Sequence, residues 1–277
     1  MTIKDEWIDW CINKGVWEYV EPNIWNGKFT TEVTKQYKIS IVTTCMGRLH
    51  DLKQTLPKNI EDNKDYENIE WVLVNYNSPD GMEEWVKANF MDMIETGKLV
   101  YVHTTEPVYY SMAHSRNIGF KVATGEIINS VDGDNLTNKG FATYVNKLAN
   151  EQPRKAIFAK GKRMMRGRLG FYKDEFINKL GGYSEDLGDY GSEDHDIVHR
   201  AWALGYRMMW FGGKYCTLIK SKKHQTTNYL SKDWKYTESR NKVISLLNIA
   251  WGRYKANNKL HWGKANLVKN FTEEISI

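Results

Sequence analysis

Glu126-Ile127-Ile128-Asn129-Ser130-Val131-Asp132-Gly133-Asp134-Asn135 is a mostly apolar run that breaks into two carboxylates one residue apart. It reads as a buried strand ending at the edge of a site. Residues i and i+2 of a strand point to the same side, so Asp132 and Asp134 can face one point in space. Gly133 between them lets a ligand approach the backbone closely. Two hard oxygen donors placed this way suit a divalent cation that in turn holds phosphate oxygens. Taken alone, the same residues read more simply as an Asp-Gly-Asp-Asn turn with solvated side chains, because these are the commonest turn formers.

The segments before this run bear on the choice. Ile39-Ser40-Ile41-Val42-Thr43-Thr44 is a β-branched stretch suited to a buried strand. Helical spacing follows over Leu49–Ile60, with Pro57 expected to break the helix or delay its start. Ile69–Val74 and Leu99–His103 read as further strands, with a helix over Met82–Ile94 between them. Ser111–Ala123 reads as a helix leading into the strand that opens this section. Strands alternating with helices predict a parallel sheet of right-handed βαβ units, an α/β fold. Ligands of such sheets bind beyond the carboxyl ends of the strands. Three loops fall there, Thr43–Arg48, Asn75–Gly81 and Asp132–Asn135, and should converge on one cleft.

Composition narrows the class. The 277 residues are 41% hydrophobic and 26% charged, ordinary for one large soluble domain. The 11 Trp and 16 Tyr can simply fill a core, which is the default reading, and they also supply flat amphipathic faces on which sugars or bases stack. A net charge of +5 without a long basic block fits an anionic small ligand better than nucleic acid. The densest basic stretches are Lys160–Arg168 and Lys220–Lys223, each read as solvated surface. Cys11, Cys45 and Cys216 have neither disulfide nor zinc spacing, which points to a reducing compartment. There is no signal-like apolar segment at Met1–Trp7 and no run of about 20 apolar residues. A soluble, cytoplasmic protein without a membrane span is expected. Residues 1–36 read as an N-terminal extension, 37–230 as the main domain and 231–277 as a partly helical C-terminal extension.

A second acidic cluster lies in Gly181-Gly182-Tyr183-Ser184-Glu185-Asp186-Leu187-Gly188-Asp189-Tyr190-Gly191-Ser192-Glu193-Asp194-His195-Asp196. Its six carboxylates repel unless they point apart or a cation is near. Ser192 is placed to cap a helix running to Leu204, with Gly205 ending it. Acidic residues in the first turn are favoured by the helix dipole. The glycines around Asp189 and Tyr190 suggest a loop pressed against a ligand. A carboxylate at this helix start, facing a metal-bound nucleotide, is well placed as a general base. Asp194 is the candidate for that role, and Glu193 for holding the acceptor.

These residues resemble a known family. Ser115-Arg116-Asn117-Ile118-Gly119, Ala123-Thr124-Gly125-Glu126 and Val131-Asp132-Gly133-Asp134 are similar to the Arg-Asn helix, ATGE turn and DxD of GT-A glycosyltransferases of the family 2 type. The 181–200 region, ending in Gly191-Ser192-Glu193-Asp194-His195-Asp196 and Arg200, resembles the corresponding motif of the β-1,4-galactosyltransferases. The resemblance implies a GT-A (Rossmann-like), mostly parallel sheet flanked by helices. A nucleotide-binding half (37–137) would precede an acceptor and catalytic half (138–230). It further implies inverting transfer from a nucleotide-sugar donor, usually a UDP-sugar, with Mn²⁺ or Mg²⁺, to a glycan or saccharide acceptor. Carried over by position, Asp134 would be the principal metal ligand and Asp132 would contact ribose or metal. Thr43, Thr44, Arg48, Asn75 and Arg116 would border the nucleotide, and Tyr190 and Gly191 the sugar or acceptor. His224, thirty residues after Asp194, would be a further metal ligand. The acidic pair the family often carries after the second strand is replaced by Asn75-Tyr76, so base or ribose recognition differs. Two other readings stay open: an enzyme acting on modified bases of DNA, and a non-catalytic sugar-nucleotide-binding module.

Overall fold

The computed structural model describes residues 23–160, 168–220, 228–257 and 262–277. Twelve short or medium strands and six principal helices alternate along the described chain. They are β1 (Asn23–Ile24), β2 (Ile39–Cys45), α1 (Leu49–Asp62), β3 (Ile69–Tyr76), α2 (Met82–Glu95), β4 (Leu99–Thr104), α3 (Met112–Val122), β5 (Ile127–Ser130), β6 (Asn135–Leu136), α4 (Phe141–Glu151), β7 (Ala156–Ala159), β8 (Gly170–Tyr172), α5 (Glu193–Ala203), β9 (Arg207–Trp210), β10 (Thr217–Leu218), α6 (Trp234–Ala250), β11 (Asn266–Lys269) and β12 (Glu273–Ser276). Ten of these strands form one sheet in the order β1-β9-β7-β8-β5-β2-β3-β4-β11-β12. Its centre, β5-β2-β3-β4, is wholly parallel. β8 runs antiparallel between β5 and β7.

The central strands are apolar along their length because both faces of the sheet are covered. Alternate residues enter two separate cores. Ile39 and Ile41 of β2 and Trp71 and Leu73 of β3 join Leu52 and Leu56 of α1 and Val86 of α2 on one face. Val42, Val72 and Val74 join Ile118 and Phe120 of α3 and Ile197 of α5 on the other.

Several local expectations are corrected. α1 runs through Pro57 without a break and begins at Leu49. Asp80 satisfies its first amide, Oδ2 accepting from Leu49 N at 2.7 Å. β3 extends through Asn75 and Tyr76, which read as loop. β5 stops at Ser130, so Asp132–Asn135 is a turn closed by Asn135 N donating to Asp132 O at 3.0 Å. Residues beyond 231 are not only helical: β11 pairs antiparallel with β4, and β12 forms the sheet's edge. Among the described residues, no helix is long and apolar enough to cross a membrane. Cys45 and Cys216 are buried free thiols, and Cys11 lies outside the described residues.

Gly119 is where α3 meets the sheet most closely. A Cβ there would lie 2.4 Å from Val42 Cγ1 and 3.1 Å from Val74 Cγ2. Gly119→Ala should therefore push α3 off β2 and β3 and cost about 1–3 kcal/mol. Thermal unfolding should show a Tm lower by several degrees, whereas Gly212→Ala, with nothing within 4 Å, should melt like the wild type.

Candidate active site

The aspartate turn is held from four sides. Val131 N donates to Val42 O at 2.8 Å, and Thr43 Oγ1 donates to Val131 O at 2.8 Å. α1 presents Thr55 and Asn59, and Asn63 at its C-cap continues the same four-residue spacing along one face. Thr55 Oγ1 donates to Gly133 O (2.5 Å), Asn59 Nδ2 to Asn135 O (2.9 Å), and Asn63 Nδ2 to Thr137 Oγ1 (2.8 Å). Beneath lies Arg168, fully buried, donating to Leu136 O at 3.0 Å and Tyr215 O at 3.1 Å. The strand reading of Asp132 and Asp134 is thus replaced by a clamped turn at the carboxyl end of β5.

The two carboxylates diverge within that turn. Asp134 Oδ2 lies 3.5 Å from Arg48 Nη2, and its Oδ1 accepts from Asn135 Nδ2 at 3.0 Å. Burial first, and then the neighbouring Asp132, push the Asp134 carboxyl above its ordinary range, against the pull of Arg48. Asp132 Oδ1 faces Arg116 Nη2 at 3.1 Å.

Arg116 ties the two acidic clusters together. It sits on α3, 1% exposed, and its Nη1 contacts Glu193 Oε1 at 2.7 Å and Asp194 Oδ1 at 3.0 Å. The Tyr183 ring lies 5.5 Å from its guanidinium carbon. Burial alone would lower the Arg116 pKa; Asp194, Asp132 and Glu193 outweigh it and hold the group well above its usual value. A buried cation among three carboxylates is tolerable because each charge has a partner.

Three of the remaining carboxylates of the second cluster are held apart by partners of their own. Glu185 accepts from Asn117 Nδ2 (2.9 Å) and Gly263 N (2.8 Å). Asp196 pairs with buried Arg200 at 2.7 Å, and Asp189 accepts from Leu230 N at 3.1 Å. Ser192 occupies the position before α5 with φ +68°, but its hydroxyl donates to Glu238 O at 3.1 Å and caps nothing. The glycine-rich loop presses on α6, where a Cβ on Gly191 would meet Glu238 at 3.1 Å. Asn241 of α6 holds this loop, donating to Gly188 O and Gly191 O at 2.9 Å and to Tyr190 O at 3.3 Å. Gly205 follows α5 with φ +80°, the C-terminal arrangement expected of it.

Of the residues singled out in the sequence, Arg116, Asp132, Glu193 and Asp194 form one ion-paired group and Arg48 with Asp134 a second, joined through the aspartate turn. Thr43 is a buried strut, and Thr44 Oγ1 bonds Tyr110 Oη at 2.7 Å. The Asn75 amide is committed to Tyr101 Oη (2.7 Å) and Ser78 N (2.8 Å) within the protein. Tyr190 is half-buried beside Tyr229, ring centroids 5.5 Å apart. His224 and residues 161–167 and 221–223 of the basic stretches lie outside the described residues. Arg168 is no solvated surface cation. Tyr110, Tyr229, Asn241 and the Thr55-Asn59-Asn63 stripe were not found by reading the sequence; only the polar stripe left a signal there, at helical period on an otherwise apolar face.

The loops after β2, β3 and β5 do converge: Gly47 N donates to Ser78 Oγ at 2.7 Å, and Arg48 approaches Asp134. Among the described residues, no three His, Cys, Asp or Glu cluster to hold a metal by themselves. Asp132 and Asp134 nevertheless fit a cation whose other ligands come from a diphosphate. Both are hard oxygen donors, and the partly desolvated Asp134 carboxylate has Arg48, at 3.5 Å, as its counter-charge.

The family profile of Glycosyl transferase family 2 matches residues 40–207. None of the curated proteins compared matches the chain in sequence. Among solved structures, the mannosyltransferase PcManGT from Pyrobaculum calidifontis, in complex with GDP-Man and Mn²⁺, superposes with a TM-score of 0.61 at 20% identity, over 88% of this chain and 73% of that one. TarS 1-349 of S. aureus with UDP-GlcNAc gives 0.54 at 14% identity, over 72% of this chain and 64% of that one. GalNAc-T7 with UDP, GalNAc and Mn²⁺ gives 0.53 at 14%, over 66% and 45%. This chain therefore spans less than two thirds of each of the last two.

Removing the central cation should expose its role. Arg116→Met leaves Asp132, Glu193 and Asp194 facing one another and should cost about 3–5 kcal/mol. Protonation of carboxylates relieves that repulsion, so the deficit in Tm against wild type should shrink as pH falls from 8 to 5. Circular dichroism melts across that range check the magnitude and the sign.

Proposed function

The chain belongs to glycosyl transferase family 2, and from that premise we propose that it is a metal-dependent, inverting glycosyltransferase. It moves a sugar from a nucleotide-linked donor, of the UDP class, to a hydroxyl of a glycan or surface-polysaccharide acceptor. The observation that carries this reading is the Arg116 junction. It brings Asp132 of the aspartate turn within reach of Glu193 and Asp194 at the carboxyl ends of the parallel strands.

The roles follow from position and exposure. Asp134 and Asp132 are the groups to hold Mn²⁺ or Mg²⁺, which when bound neutralises charge on the departing diphosphate. Arg48, beside Asp134, and Arg116 border the same phosphates. The Asp194 side chain is 12% exposed against 6% for Glu193, so Asp194 is the better placed to meet an incoming hydroxyl. It takes the proton of the acceptor hydroxyl as that oxygen attacks the anomeric carbon. The bond from that carbon to the diphosphate oxygen breaks, the nucleoside diphosphate leaves, and the configuration inverts. Glu193, deeper and bound to Arg116, orients the acceptor and the guanidinium together. The buried thiols suit a reducing cytoplasm, and Cys45, pushed up to about 12 by burial, stays protonated and takes no part as a nucleophile. The galactosyltransferase-like reading of residues 181–200 is supported by the arrangement of Glu193 and Asp194 at the start of α5. Of the basic stretch that would favour a nucleic-acid acceptor, Arg168 is buried and residues 161–167 lie outside the described residues.

Purified protein with Mn²⁺ should hydrolyse or transfer at least one of a panel of nucleotide-sugars. Asp194→Asn should lower kcat about 10²–10⁴-fold, the usual worth of a general base, with little change in affinity for the nucleotide. Asp134→Asn removes a desolvated charge, so in metal-free buffer it should melt at or above the wild-type Tm. It should also lose the rise in Tm that Mn²⁺ with UDP gives the wild type. Full activity in either variant would refute the assigned roles.

A further inference from the structure

A run of four aromatic rings leads away from the carboxylates toward solvent. Tyr110, whose hydroxyl meets Thr44 at the end of β2, packs on Tyr229 with centroids 5.7 Å apart. Tyr229 packs on Tyr190 at 5.5 Å, and Tyr190 on Trp234 at 6.2 Å. Successive planes stand at 77°, 89° and 80°, the edge-to-face geometry favoured by ring quadrupoles. Exposure rises outward: Tyr110, Tyr229 and Tyr190 are half-buried, while Trp234 is 38% exposed. The inner part of the run lies beside the site, since burial, Tyr110 and the Glu193 charge together raise the Tyr229 phenol.

The run is rigid as well as continuous. Asn241 pins the Tyr190 loop to α6, Leu230 N binds Asp189, and Asn228 O accepts from Tyr110 N at 2.6 Å. Trp234 is the first residue of α6, whose N-terminus is capped by Asp233 accepting from Tyr236 N at 3.0 Å. Lys235 Nζ lies over the indole, 5.7 Å from its centroid, and brings a donor to the ring. A preorganised apolar face flanked by a hydrogen-bond donor matches the mixed C–H and hydroxyl surface of a pyranose ring.

We propose that Trp234 is a specificity-determining platform that stacks on the second sugar ring of an extended saccharide acceptor, with Tyr190 beside the first. This rests on the glycan-acceptor reading above and narrows it to acceptors of two or more sugar units. A reacting end next to Asp194 then places the following ring outward along the run.

The test uses an array of immobilised mono- to hexasaccharides, probed with the full-length protein in the presence of UDP and Mn²⁺, and then KM for the best-bound chain and its monosaccharide. Wild type should prefer the longer chain. Trp234→Ala should reduce that preference about three- to tenfold, the worth of one aromatic contact. Trp234→Phe should restore most of it, and Trp251→Ala, at the far end of α6, should not alter it. A wild type indifferent to chain length, or a Trp234→Ala protein that keeps the preference, overturns the proposal. So does loss of binding to phosphatidylglycerol vesicles in Trp234→Ala with saccharide binding intact, which would give this face to a membrane. Array binding is read without turnover. A protein that binds oligosaccharides yet turns over no nucleotide-sugar would therefore fault the proposed reaction and leave the platform standing.

Discussion

One guanidinium holds this site together. Arg116 is buried on α3 and reaches a carboxylate of the aspartate turn with one nitrogen and two carboxylates of α5 with the other. The three acids come from segments some sixty residues apart (Asp132 against Glu193 and Asp194), and Glu193 and Asp194 could not be buried so near each other and Asp132 without that charge. The desolvation cost is repaid only while all partners are present. Geometry and stability are therefore coupled here, and loosening the junction loosens both halves of the site.

Everything else in the fold serves to keep that junction in place. The parallel strands β5, β2 and β3 bring three loops to one edge, and Gly119 lets α3 lie against β2 closely enough for Arg116 to reach across. The polar stripe Thr55-Asn59-Asn63 and the buried Arg168 fix the turn by hydrogen bonds to its carbonyls and to Thr137. Asn241 does the same for the loop before Glu193. Backbone carbonyls held by side chains leave the carboxylates themselves available for ligands and for Arg116.

How much of this was legible in the sequence depends on range. The strand–helix alternation from Ile39 to Asp134 follows from local hydrophobic period, and the carboxyl-end placement of Asp132 and Asp134 follows from topology. Arg116, Glu193 and Asp194 stood out as motif residues, yet that they share one contact is a tertiary fact. Ser192 was misread because the carbonyl of Glu238 competes for its hydroxyl from 46 residues away. Pro57 does not break α1, and the short strands β11 and β12 gain their strand character by pairing, β11 with β4 and β12 with β11. Trp234 and Asn241 lie in a stretch whose composition shows only a polar helix; their roles arise from what α6 packs against.

In the proposed function the two acidic clusters form a single donor and metal site around Arg116. Crystals grown with MnCl₂ and UDP, with anomalous data collected at the manganese edge, test it directly. The account predicts one anomalous peak in contact with Asp134 and the UDP diphosphate, with Arg116 still bridging Asp132 to Glu193 and Asp194. A manganese peak away from the aspartate turn, or nucleotide bound there with the Arg116 bridge broken, would contradict it.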